Sequence, residues 1–160
     1  MAGMVVPLGL SFGRMGCLLA GCCFGAPVEG KVGLSFPGMS PASESQWKLG
    51  LLSSPHEHSL PVHPTQLYES AGALLIAAVL ILWLHGRKRY DGQIFLAFVA
   101  SYAVLRFIIE IWRRDDRGVW LLSTSQWIGL ALCVAVALGH RWLAKRAARI
   151  RAASVQGVQS

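Results

Sequence analysis

The stretch SYAVLRFIIEIWRRDD, residues 101–116, decides how the chain is read, because it sets an arginine and a glutamate inside a run otherwise suited to lipid. Each charge near the centre of a bilayer costs about 2.5 to 3.5 kcal/mol on insertion scales, so Arg106 and Glu110 are not incidental. Tyr102, Arg106 and Glu110 stand at i, i+4 and i+8. On an α-helix they drift by only about 40° per step and share one face. One reading is an intrahelical Arg–Glu pair that neutralises itself, with Glu110 near water at the outer helix end. A purely structural helix would lose little by carrying leucine at both places, whereas ionisable groups in lipid usually mark a pocket or a path. The stripe is therefore expected to face a functional chamber.

The surrounding composition is that of a membrane protein. Of 160 residues, 54% are hydrophobic and 14% charged, and the mean hydropathy is +0.48, too apolar for a soluble domain of this size. Four apolar runs, about 5–24, 66–84, 93–112 and 120–139, approach the roughly 20 residues that cross a hydrocarbon core of about 30 Å. Their all-round hydrophobicity argues for helices over barrel strands, which alternate. The expected fold is all-α and integral to the membrane, with about four transmembrane helices in a single domain over 1–143. One long outer loop spans 26–63, and a basic tail over 144–160 is expected to be disordered.

The net charge of +7 would prompt a nucleic-acid hypothesis in a soluble protein, but here the basic residues lie between and after the apolar runs, so no nucleic-acid partner is expected. HGRKRYDG (85–92) and HRWLAKRAARIR (140–151) hold three and five Lys or Arg and point to the cytoplasm. Residues 26–63 hold two lysines and three glutamates and point outward, which leaves both termini cytoplasmic. The connector RRDDRG (113–118) carries three arginines on the outer side and counts against the rule. Trp83 and Trp142 near the inner boundary, and Trp112 and Trp120 near the outer one, fit an aromatic belt. The outer loop carries scattered prolines and an apolar segment VGLSFPGM (32–39), which argues for a folded cap with a mobile centre near 40–54.

In the first run, Gly13, Cys17, Gly21 and Gly25 recur every four residues, a small-residue stripe that would let another helix approach. Cys17, Cys22 and Cys23 are read first as part of that packing. A metal or redox site is the sharper alternative, but Cys-x4-Cys-Cys lacks the usual Cys-x2-Cys spacing, so no metal and no cofactor is expected. Arg14 has no acidic residue nearby in sequence, so its partner must come from another helix, with Glu110 a candidate, or from a ligand. Two guanidinium groups converging on a membrane pocket suit phosphate, and an anionic lipid headgroup is the natural ligand. His63 and Glu69 flank the start of the second run. Glu69 reads as an interface residue or a favourable charge near a helix N-terminus. His63 reads either as a helix-entry residue or as a proton acceptor at the outer surface, since imidazole titrates near neutrality.

Taken in order, GRMGCLLAGCCFG (13–25), HPTQLYE (63–69), YAVLRFIIEIWRRD (102–115) and STSQWIGL (123–130) resemble the prolipoprotein diacylglyceryl transferase family of bacterial inner-membrane enzymes. The resemblance covers about residues 8–132. It implies transfer of the diacylglyceryl group of phosphatidylglycerol to the lipobox cysteine thiol of a preprolipoprotein, with release of glycerol phosphate. It implies phosphatidylglycerol binding by Arg14, within a signature that Gly25 closes; Arg106 is expected to join Arg14 on the headgroup, because fixed cations beside the phosphate lower the barrier, with Cys17 in the same site. It places Tyr102, Arg106 and Glu110 in catalysis. Since a thiol is mostly unionised at neutral pH, the reaction also asks for a base, and His63 is assigned that role, with Tyr102 and Glu110 orienting Arg106. Many members carry asparagine where this chain has Cys17, and a polar or acidic residue where it has Cys22. The family usually has seven spanning helices, of which these would be the last four, so the expectations are a late start, a gene fragment, a half that needs a partner supplying the first three, or a reduced protein. Two alternatives stand beside this reading. One is a non-catalytic homologue that binds anionic lipid or a partner subunit, and the other is a membrane thiol protein built on Cys17, Cys22 and Cys23.

Overall fold

A computed structural model describes residues 2–29, 32–113 and 124–156. The elements are α1 (Ala2–Leu19), α2 (Pro41–Lys48), α3 (Thr65–Val79), α4 (Gln93–Ile109) and α5 (Thr124–Gln156). Helix α3 runs on through a π turn at Leu80–Leu84 and a 3-10 turn at His85–Arg87. Among the described residues there is no strand, only two isolated bridges joining Val62 to Pro27 and Leu34.

Two helices are long and apolar enough to cross a bilayer, Thr65–Arg87 and Gln126–Ile150, while Gly3–Leu19 and Gln93–Ile109 are apolar but shorter. Among the described residues the fold is thus all-helical, with two candidate membrane spans. Large apolar side chains point away from the helix contacts, Phe12, Leu19, Leu75, Leu82 and Leu138 among them, all more than half exposed. A soluble monomer rarely presents so much apolar surface to water, whereas lipid accepts it.

The first helix ends earlier than the sequence reading placed it. Gly21 takes a left-handed φ of 66°, its N–H donates to the Leu18 carbonyl at 3.1 Å, and the Cys22 N–H donates to the Cys17 carbonyl at 3.1 Å. This is a Schellman cap, for which glycine is the favoured left-handed residue. It stops α1 at Leu19 and turns residues 20–25 into a loop. The small-residue stripe is therefore not a continuous helical face: a Cβ on Gly13 would touch nothing within 4 Å. Helices α1 and α3 meet through serines instead. The Ser11 and Ser70 hydroxyls are 2.8 Å apart, and Ser70 Oγ also donates to the Ser11 carbonyl at 3.1 Å, both residues buried. Small hydroxylated side chains allow close approach and satisfy each other away from water.

The loop over 26–63 is not without helix. Residues 41–48, inside the stretch read as its mobile centre, form α2, which starts with Ser40 Oγ accepting from the Ser43 N–H and with Pro41 in the first turn. Ser43 Oγ lies within hydrogen-bond distance of the Pro55 and Glu57 carbonyls, and Gln46 pairs with both backbone groups of Leu60. Phe36, Ala42 and Val62 form a small core over Leu18 and Phe24.

Helix α4 ends at Ile109, with Glu110 at its C-cap, three residues short of the expected boundary. Helix α5 lies against α4, where Gly129 and Gly139 leave room beside Ala103 and Leu96. At one end of this pair the Tyr90 hydroxyl is bonded to His140 Nδ1, and burial raises the Tyr90 phenol above its ordinary range. The tail expected to be disordered continues α5 through Gln156, because AKRAARIRAASVQ is rich in alanine, arginine and lysine, all strong helix formers. Residues 157–160 and the connector over 114–123 lie outside the described residues.

Candidate functional site

Helix α1 packs against α3 and α4, and α3 packs against α4, so one ionisable side chain from each helix can reach a common point. That point is Glu69, on the second turn of α3, buried to 2% exposure. Its Oε1 accepts a hydrogen bond from the Tyr102 hydroxyl at 2.6 Å and an ion pair from Arg14 Nη2 at 2.9 Å. Its Oε2 lies 3.5 Å from Arg106 Nη1. One turn along α4, Glu110 Oε2 is 3.3 Å from Arg106 Nη2. Arg14, Tyr102, Arg106 and Glu110 thus meet, but through Glu69, which the sequence reading took as an interface residue or a favourable charge near a helix N-terminus.

Two details differ from expectation. The cross-helix partner of Arg14 is Glu69 and not Glu110, whose i,i+4 position on α4 commits it to Arg106. Tyr102 donates to Glu69, which in turn pairs with Arg106, so Tyr102 is hydrogen-bonded to the carboxylate and not to Glu110. The electrostatic logic is that a buried carboxylate costs several kcal/mol unless it is paired and hydrogen-bonded. Glu69 has two cations and a phenol, and the two arginines in turn have carboxylates. Arg106 still keeps a buried Nη1 donor with no hydrogen-bond acceptor, since 3.5 Å to Glu69 is an ion pair without a hydrogen bond. Beside it, between α4 and α5, an apolar cavity of about 380 Å³ is walled by Phe98, Ala103, Ile128 and Leu132, with Tyr102 and Arg106 at its polar part.

Gly25 and His63 form a neighbouring junction and not part of the ion cluster. The Gly25 N–H donates to the His63 carbonyl at 2.9 Å, the Ala26 N–H to the Trp112 carbonyl at 2.9 Å, and the His63 N–H to the Ala26 carbonyl at 3.0 Å. A Cβ on Gly25 would stand 2.8 Å from His63 Cβ, Thr65 Cγ2 and the Trp112 carbonyl oxygen. Gly25 is thus needed for the loop after α1 to dock between the start of α3 and the end of α4. Gly25→Ala is expected to cost about 1–3 kcal/mol through overpacking, read as a lower melting temperature in detergent. An unchanged melting temperature would show that the junction relaxes freely. The His63 ring lies 6.4 Å from Tyr68, which meets Trp112 edge-on at 6.0 Å. His63 Nδ1 is buried without a hydrogen-bond partner.

Cys17 lies one turn beyond Arg14 on α1, and its sulfur is within 4.8 Å of those of Cys22 and Cys23. The Cys22 and Cys23 carbonyls accept from Gln66 Nε2 at 2.7 Å and Thr65 Oγ1 at 2.9 Å, which ties this turn to the start of α3. Sequence reasoning missed Glu69 as the hub. The available signal was a carboxylate at the head of an apolar run, in a chain with two membrane arginines and only one other acid placed to answer them.

A family model described as prolipoprotein diacylglyceryl transferase matches residues 1–142. A phosphatidylglycerol–prolipoprotein diacylglyceryl transferase of Clostridium tetani is 40% identical over 134 residues, covering 81% of this chain and 48% of that protein. A protein of the same name, numbered 2, from Clostridium perfringens is 34% identical over 138 residues, covering 84% and 48%. One from Paraburkholderia phymatum is 34% identical over 173 residues, covering 96% and 56%. The chain spans about half the length of these relatives. With the match running from α1 into α5 and across every member of the Glu69 cluster, the chain belongs to the prolipoprotein diacylglyceryl transferase family.

Proposed function

We propose that this chain carries a phosphatidylglycerol headgroup site that serves diacylglyceryl transfer to the lipobox cysteine of a preprolipoprotein, in the bacterial inner membrane. In this reading α1 and α4 also span the bilayer, giving four spans, with residues 26–63 periplasmic and both termini cytoplasmic. The observation that carries it is the convergence of Arg14 and Arg106 on Glu69 beside an apolar groove, with one Arg106 donor still unbonded. The guanidinium pair matches the phosphate oxygens, and the groove between α4 and α5 suits acyl chains.

The chemistry asks for charge stabilisation where charge develops. The acceptor thiolate attacks the glyceryl C3 carbon, a C–S bond forms as the C–O bond to phosphate breaks, and glycerol phosphate leaves with the electron pair. Fixed cations on the phosphate lower that barrier. Glu69 holds both guanidinium groups in register, Glu110 holds the far side of Arg106, and Tyr102 fixes Glu69. His63 is the proposed base, with its free Nδ1 the atom able to take the thiol proton. Gly25 and Cys17 shape the wall beside Arg14. Incubating the purified chain with phosphatidylglycerol and a lipobox peptide, followed by mass spectrometry, tests the reading. The peptide should gain a diacylglyceryl group at its cysteine. Lipid binding with no adduct would favour the non-catalytic homologue instead.

A further inference from the structure

Three thiols meet beside the ion cluster, and the headgroup reading does not use them as a set. The Sγ atoms of Cys17, Cys22 and Cys23 all lie within 4.8 Å of one another, and each residue is partly buried and free of disulfide. Their spacing along the chain gives no hint of this, because the convergence is made by the Schellman cap. Gly21 reverses the backbone, the Cys22 N–H returns to the Cys17 carbonyl, and Gln66 and Thr65 pin the next two carbonyls. Cys23 itself takes a φ of 60°, a conformation that residues with side chains seldom adopt. Mere packing does not require a non-glycine residue there, and such outliers cluster where a side chain has a task.

We infer that Cys17, Cys22 and Cys23 form a three-thiolate site for a soft divalent cation, zinc being the best match. Tetrahedral zinc with Zn–S near 2.3 Å sets sulfurs about 3.8 Å apart. From separations within 4.8 Å, the sulfurs need to close by no more than about 1 Å. Binding converts each thiol to a thiolate and passes its proton to water, up to three protons per ion. The resulting complex carries one negative charge, and Cys23 lies within electrostatic reach of the Arg14 guanidinium, which compensates it. Three protein ligands leave a fourth position for water or a thiolate from outside the chain.

The test uses the reduced, full chain in detergent and reads metal binding without any lipid or peptide. Cobalt(II) should bind with one ion per chain and a sulfur-to-metal charge-transfer band in the near ultraviolet, and zinc should displace it. Zinc should also protect three of the four cysteines from maleimide, with Cys133 still labelled. Cys17→Ser should weaken zinc binding by at least about a hundredfold, more than the loss of an outer-sphere contact, while Cys133→Ser should leave it unchanged. Thiol protection in the unsubstituted chain stays informative if Cys17→Ser fails to fold. Equal labelling of all four cysteines in the presence of zinc would overturn the inference, as would the absence of a cobalt(II) charge-transfer band. Neither result touches the headgroup reading, and an inactive chain that still binds zinc leaves this inference intact.

Discussion

Arg106→Ala is expected to lower diacylglyceryl transfer at least about a hundredfold while the helices stay inserted, the scale seen when one donor to a developing oxyanion is removed. The reason is positional. Arg106 is the member of the cluster that touches Glu69, Glu110 and the apolar groove at once, and its Nη1 is the buried donor without an acceptor. Arg106→Lys separates charge from shape: a lysine keeps the positive charge but loses the fork that meets two phosphate oxygens. Activity in the lysine variant should recover only in small part. Turnover near that of the unsubstituted chain in Arg106→Ala, measured by thioether formation on a lipobox peptide, would remove Arg106 from the mechanism.

Glu69→Leu should have the largest effect on stability. Arg106 retains Glu110, but Glu69 is the ion-pair partner of Arg14 among the described residues. Leaving a mostly buried cation unpaired costs about 3–5 kcal/mol, seen as a lower unfolding midpoint in detergent. Adding Arg14→Leu to Glu69→Leu should recover most of that loss, since apolar replacement of a buried pair is often neutral or stabilising. The double variant should nevertheless fail in transfer, which distinguishes a cluster built to bind from one built to hold helices together. If Glu69→Leu unfolds at the same midpoint as the unsubstituted chain, the cluster is not the electrostatic hub described here.

The site was legible where local periodicity alone determines geometry. Tyr102, Arg106 and Glu110 share a face of α4 because four-residue spacing leaves no other outcome in a helix. Arg14 visibly lacked a partner, but which acid answers it depends on the packing of α1 against α3, which includes the Ser11–Ser70 contact. Glu69 was read as an interface residue or a charge near a helix start, and neither reading names the side chains it meets across that interface. The end of α1 was misplaced because Gly21 was read as a packing residue, and a left-handed cap has the same sequence appearance as a small-residue stripe. The clustering of the three cysteines follows from that cap and was hidden with it. In the outer loop, Ser40 followed by Pro41 was a readable helix start, outweighed by the surrounding prolines.

The most direct test of the central claim is the affinity of the purified chain for phosphatidylglycerol and for diacylglycerol of the same acyl chains, compared with Arg14→Leu and Arg106→Leu. A shared guanidinium site predicts that each substitution weakens phosphatidylglycerol binding markedly and leaves diacylglycerol binding as it was. If either arginine can be lost with no change in phosphatidylglycerol affinity, or if both lipids weaken together, the two residues do not hold one headgroup.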